Sequence, residues 1–321
     1  MNDIQTTTNS PAFAGDAVAI CLAANDFYAP FLSCALQSIK DTSSAGHNYD
    51  IWVLNTDITD ANQMKLQKQV SRPNISLRFA NVSPYADKFQ HLFVRGHFRV
   101  ETYYRLLMQD LFPGYAKMVY LDCDLIVRRD LYQLYSTDVT GCLLAAVRDV
   151  DTAGLYNGAY DGTGYSKKEY MDETLRIKEP YLYFQAGVIL FNLDEFRANF
   201  EVEDIILYAL SDDFQLLDQD VLNFLAQGKT AFLDYRWNVV TDWKYVRIKE
   251  IISLAPPEMK RDYLASREDP WIIHYAGPDK PWDFPRSDMG RVFWDVCFRT
   301  PYCGEALRRL VKGRRKQRWS R

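Results

Sequence analysis

No apolar run in these 321 residues is long enough to cross a bilayer; the longest, near 184–193, is about half of a membrane-spanning helix. Membrane association is therefore expected to be peripheral. Residues 1–15 are polar and lack a basic stretch leading into an apolar one, so no secretory signal is visible. The six cysteines, at 21, 34, 123, 142, 297 and 303, include no C-x-x-C pair and mostly sit in apolar patterns. That excludes a zinc or disulfide framework and fits reduced core residues of a cytosolic protein. No G-x-G-x-x-G follows the first strand pattern, which argues against a dinucleotide cofactor. Gly228-Lys229-Thr230 resembles the end of a P-loop, but Asn223 stands where its first glycine belongs and a helical pattern precedes it. It reads as a helix cap.

What is present is an ordinary globular composition, 48% hydrophobic and 25% charged. The net charge of −4 is unevenly spread: residues 308–321 hold eight Lys or Arg and no Asp or Glu, leaving the remainder near −12. An acidic body would repel phosphate backbones, so nucleic acid is not an expected partner. The basic tail, with Trp319, suits an anionic membrane surface.

Strand patterns at 16–24, 49–54, 75–82, 119–127, 142–147, 183–192 and 271–275 alternate with helical patterns at 28–39, 59–70, 101–111, 194–210 and 218–227. Two more helices are expected at 287–299 and 304–311. This alternation predicts an α/β fold, a mixed and mostly parallel Rossmann-like sheet flanked by helices. Residues 148–180, rich in Gly and Tyr, show no period and are expected to form an irregular insertion that orders over a ligand.

Within 119–127 two carboxylates, Asp122 and Asp124, interrupt the apolar run. In an extended strand they project to one side while Cys123 turns away. Two buried carboxylates repel, and a hard divalent cation removes that cost while offering a seat for phosphate oxygens. Asp-X-Asp after an apolar run also resembles the nucleophile motif of haloacid-dehalogenase-type phosphatases. In those enzymes it lies on the first strand of the catalytic domain, and here it lies mid-chain.

Six stretches recur in one order: Ala23-Ala-Asn-Asp-Phe-Tyr28, Tyr103-Tyr-Arg105, Tyr120-Leu-Asp-Cys-Asp124, Tyr183-Phe-Gln-Ala-Gly-Val188, Leu217-Asp-Gln-Asp-Val-Leu-Asn223 and His274-Tyr-Ala-Gly-Pro-Asp-Lys-Pro-Trp282. In that order they resemble glycosyltransferase family 8, and most of all its bacterial lipopolysaccharide α-galactosyl- and α-glucosyltransferases. The resemblance covers about 17–300. It implies a GT-A fold and retaining transfer of galactose or glucose from UDP-galactose or UDP-glucose to a saccharide acceptor, lipopolysaccharide core or another lipid-linked glycan. It also implies Mn²⁺, or alternatively Mg²⁺, on the diphosphate. The basic tail adds the expectation that the enzyme is held at the cytoplasmic face of the membrane. A metal-dependent phosphatase of the haloacid-dehalogenase type and a nucleotide-sugar-binding protein without turnover are the other readings.

By the same resemblance, Asp122, Asp124 and His274 match the metal ligands. Ala23, Asn25, Tyr28, Asp122, Cys123, Gln185, Ala186, Gly187, Gly277 and Lys280 match donor-binding positions. Arg105, Asp218 and Gln219 match the catalytic group, with Gln219 on the sugar face opposite the leaving group. Asp149 resembles an acceptor-contacting residue. Two departures are visible: Asn25 stands where the family commonly has Asp, and Gln185 where it often has Asn. Considered alone, Arg105 could pair with Glu101 on a helix surface, Asp218 could cap a helix, and His274 could be a core histidine. The expected domains are a polar tail at 1–16, a catalytic domain at 17–285 and a helical, basic extension at 286–321.

Overall fold

A computed structural model describes residues 9–85, 100–160, 162 and 166–319, with backbone only at 100 and 312–319. The strands β1 (Ala17–Ala23), β2 (Asn48–Asn55), β3 (Ile75–Asn81), β4 (Lys117–Leu121), β6 (Leu144–Arg148), β7 (Phe184–Asn192) and β8 (Thr230–Phe232) form one sheet in the order β3-β2-β1-β4-β7-β6-β8. Pairing is parallel throughout except on the two sides of β7. The inner strands are apolar on both faces because helices cover both. Leu22, Val53, Leu121 and Leu190 pack toward the helix Ala29–Thr42, whereas Cys21, Tyr120 and Ile189 face the core behind Tyr103, Leu107 and Leu222.

The predicted single strand through the acidic pair is corrected. It splits into β4 and β5 (Leu125–Val127), and β5 leaves the large sheet. With β9 (Val239–Val240) and β10 (Ile272–His274), β5 forms a second sheet in the order β5-β10-β9. Asp122-Cys123-Asp124 is the crossing between the two sheets, held by Asp122 N–H donating to Gly187 O (2.9 Å) and Tyr275 N–H donating to Asp124 O (2.9 Å).

The insertion is also less irregular than predicted. It carries the helix Val150–Tyr156, capped by Asp149, and further helical turns through 167–174 that bury Met171 and Leu175 in the main core. Gly164 and Tyr165 fall outside the described residues. The predicted helix at 194–210 is two, Leu193–Asn199 and Val202–Ala209, broken at extended Phe200. At the C-terminus, Gly290–Cys297 and Cys303–Trp319 pack Phe293, Trp294, Cys297 and Ala306 against Phe31 and Trp282. The side chains of Lys312, Arg314, Arg315, Lys316 and Arg318, and all of Arg321, lie outside the described residues. Among those described, no helix is long and apolar enough to cross a membrane.

Candidate active site

The carboxyl ends of β1, β4 and β6 open on one edge of the large sheet, and antiparallel β7 starts there. A cleft of about 590 Å³ occupies that edge, where parallel sheets receive ligands. Every residue singled out from the sequence lines it, although they come from loops spread over 250 residues of chain: Ala23, Asn25 and Tyr28 after β1, Arg105, Asp122 to Asp124 after β4, Asp149 after β6, Gln185 to Gly187 on β7, Asp218 and Gln219, and His274, Gly277 and Lys280 after β10.

On the floor, single donor atoms of Asp122, Asp124 and His274 lie within 4.8 Å of one another. His274 Nε2 is 3.2 Å from Asp124 Oδ1 and 3.6 Å from Asp122 Oδ2. Two carboxylates and an imidazole are a donor set for Mn²⁺ or Mg²⁺ that leaves coordination positions open. Gly187 makes room for them, because a Cβ there would stand 2.2 Å from His274 Cε1 and 2.8 Å from Asp122 Oδ2. Lys280 ion-pairs with Asp124, and burial raises that carboxyl while the Lys280 ammonium, foremost, outweighs it and holds it well below the carboxylate range.

Arg105 does not pair with Glu101 at a surface. It is 4% exposed and lies between two carboxylates, Nη2 at 2.7 Å from Asp122 Oδ1 and Nε at 2.9 Å from Asp218 Oδ2. Burial opposes its charge, but Asp122 and Asp218 prevail and keep it protonated. The Nε hydrogen is turned to Thr102 O (3.0 Å), so Asp218 Oδ2 is buried without a hydrogen bond. Burial pushes Asp218 up to about 6, with Arg105 working the other way. Glu101 instead accepts from Asn25 Nδ2 at 2.6 Å, while Asn25 Oδ1 caps Tyr28 N–H at 3.1 Å. An Asn serves both contacts at once, which an ionised Asp beside Glu101 would not.

Gln219 is fixed at both ends. Its Oε1 accepts Ala186 N–H at 2.9 Å and its Nε2 donates to Asp149 Oδ2 at 3.1 Å. Asp149 also accepts from Asp151 N–H, Thr152 N–H and Thr152 Oγ1, which fills the usual capacity of a carboxylate. Leu217, at φ 52°, turns the chain so that Asp218 and Gln219 enter the cleft, and Asp220 clamps that turn by accepting from Leu216 N–H, Tyr170 and Tyr183. At the opposite wall Gly277 has φ +87°, a conformation that suits glycine, and places its backbone against Trp243.

Asn238 and Arg309 escape sequence reasoning. Asn238 is 3% exposed, and its Oδ1 lies 2.9 Å from His274 Nδ1. Its one visible signal is a polar residue inside the apolar run 237–240. Arg309 comes from the basic helix, ion-pairs with Asp283 at 3.2 Å, and sits over the rings of Phe27 and Phe31 at the cleft's edge.

Solved structures share this architecture. The bifunctional glycosyltransferase WbbM superposes with a TM-score of 0.84 at 30% identity, covering 94% of this chain and 53% of that one. The galactosyltransferase LgtC in complex with donor and acceptor sugar analogs gives a TM-score of 0.69 at 25% identity, covering 88% of this chain and 96% of that one. Fold and cleft together define a glycosyltransferase of the GT-A architecture. A family model described as Glycosyl transferase family 8 matches residues 19–285, and the chain belongs to that family. Among curated relatives, the lipopolysaccharide 1,2-glucosyltransferase of Escherichia coli K12 is 26% identical over 243 residues, covering 73% of this chain and 64% of its own length. Family membership replaces the phosphatase alternative.

Proposed function

We propose that the protein is a retaining hexosyltransferase that moves galactose or glucose from a UDP-sugar to a lipid-linked saccharide. The observation that carries this reading is the convergence of Asp122, Asp124 and His274 in the same cleft as Arg105, Asp218 and Gln219. A divalent cation on the first three would neutralise charge on the departing diphosphate. Gly277 lets backbone approach the phosphates, and Lys280 adds a point charge beside them. Asn25 and Tyr28 face the base, where the Asn25 carbonyl oxygen keeps a second lone pair for an N–H donor.

The sugar lies against Arg105, Asp218 and Gln185. Asp218 lines the cleft beside Arg105, and its carboxylate is suited to accept from a sugar hydroxyl. Gln219 stands across the anomeric carbon from the leaving group. With Nε2 donating to Asp149 and Oε1 accepting from Ala186 N–H, the second lone pair of its carbonyl oxygen is the group suited to developing positive charge on the ring. An amide oxygen is a weak nucleophile, so substitution from the leaving-group face is favoured, with a diphosphate oxygen taking the acceptor's proton. Asp149, expected to touch the acceptor, is assigned first to holding Gln219.

The acceptor class rests on likeness to lipopolysaccharide glycosyltransferases and on the basic helix Cys303–Trp319, which suits the inner, cytoplasmic membrane face. Calorimetric titration of UDP with and without Mn²⁺ tests the donor half. Tight binding that requires Mn²⁺ is expected, and binding indifferent to metal would contradict it. UDP release from UDP-galactose or UDP-glucose on adding a truncated lipopolysaccharide separates turnover from mere binding.

A further inference from the structure

A bulge in β7 settles where the hydrogen atoms of the cleft floor lie. Pairing with β6 slips between Ala146, opposite Ile189, and Val147, opposite Gln185. The backbone between those positions is left out of that ladder, and two of its N–H groups turn to side chains. Ala186 N–H donates to Gln219 Oε1 at 2.9 Å, and Gly187 N–H donates to Gln185 Oε1 at 2.7 Å. A backbone N–H can only donate, so each contacted amide atom is the oxygen, and both glutamine orientations follow from chemistry.

The consequence runs through Asn238. Its Nδ2 donates to the same Gln185 Oε1, so its own Oδ1 faces His274 Nδ1, 2.9 Å away. An amide oxygen has no hydrogen to give, so Nδ1 carries the proton of the neutral ring. The lone pair is then on Nε2, which points at Asp124 and Asp122. Three electron-pair donors facing one another are unfavourable unless a cation lies between them.

We propose that Asn238, oriented by Gln185 and the Gly187 backbone, is a positioning residue that locks His274 in its Nδ1–H tautomer and keeps Nε2 ready for a divalent cation. The proposal deepens the cation reading of Asp122, Asp124 and His274 and rests on it. It also gives Gln185 a role: its Oε1 is committed to the floor, so only its Nε2 hydrogens can face a ligand.

The test has two arms. Imidazole ¹⁵N spectra of the metal-free full-length protein at alkaline pH report the tautomer, and four histidines make assignment of His274 by substitution practical. The hydrogen is expected on Nδ1; a hydrogen on Nε2, alone or shared, overturns the proposal. In the second arm, Mn²⁺ affinity is read by electron paramagnetic resonance of free Mn²⁺. Asn238→Ala should weaken binding by about 10- to 100-fold. Asn238→Asp keeps an acceptor on Nδ1 but sets its second oxygen against Gln185 Oε1, so it should recover part of the loss. Unchanged Mn²⁺ affinity in folded Asn238→Ala overturns the proposal, and so do equal losses in both variants. If Asn238→Ala does not fold, the wild-type spectra decide. A wild-type protein with Nδ1–H and no Mn²⁺ binding would refute the cation reading and leave the tautomer assignment standing.

Discussion

One methyl group added at Gly187 should empty the candidate metal site without unfolding the chain. Its Cβ would lie 2.2 Å from His274 Cε1 and 2.8 Å from both His274 Nδ1 and Asp122 Oδ2. Carbon atoms rest roughly 3.5–4.0 Å apart, so the ring must retreat by more than an ångström. It has nowhere to go, being 1% exposed, bonded to Asn238 and carried on β10 between β5 and β9. Overpacking of this kind costs about 1–3 kcal/mol, a fall of a few degrees in Tm for a chain this size. The loss at the site is larger, since a misplacement of about 1 Å can cost on the order of 100-fold. Thermal shift with UDP and Mn²⁺ separates the two effects. At about 100 times Kd the ligand stabilises by about 2.7 kcal/mol, and an affinity about 100-fold weaker leaves about 0.4 kcal/mol at the same concentration. Gly187→Ala should therefore melt slightly lower and lose nearly all of its ligand-induced shift. A variant that retains the full shift would refute the geometric account.

Gln219→Ala should lower kcat far more than it weakens donor binding, because the amide acts on charge present only in the transition state; a change in KM alone would make it a simple binding residue. Ionised Asp218 is the stronger acceptor for sugar hydroxyls and the partner of Arg105, so kcat/KM should rise with pH through about 6, and a flat profile between pH 5 and 7 would count against that role. Because its folded value lies above the ordinary 3.8, the stability this group contributes is present at low pH and is lost as pH rises toward 6. Reversing charge at Arg314, Arg315, Lys316 and Arg318 should abolish binding to anionic vesicles at about 1 kcal/mol per basic residue near the surface, while activity on a soluble acceptor persists. Unchanged vesicle binding would leave the tail without a membrane role.

Most strands and most helices were legible because apolar periodicity reports burial, and burial decides them; the short β8 and β9 were not expected. The break at Asp122 to Asp124 was not. Both flanking segments are apolar, and periodicity carries no sign that β4 pairs with β1 and β7 while β5 pairs with β10. The acidic pair, His274 and the Gly277 to Lys280 loop were legible from motif order, which also led to one cleft. Asn238 was not, since a lone Asn has no spacing that announces it, and its meaning depends on a bulge some fifty residues away in the chain. Arg309 was counted with the basic tail expected to face a membrane, because charge composition does not show which member of a run turns inward onto Phe27 and Phe31.

The most direct measurement is transfer itself: the full-length protein, Mn²⁺, and UDP-galactose or UDP-glucose with a truncated lipopolysaccharide acceptor, the product's anomeric configuration read by NMR and the same reaction run with Asp124→Ala. Wild-type protein should release UDP with one of the two donors and leave an α-linked hexose, and Asp124→Ala should form no product although it folds. A β-linked product, or full transfer by Asp124→Ala with metal controlled, would contradict the account.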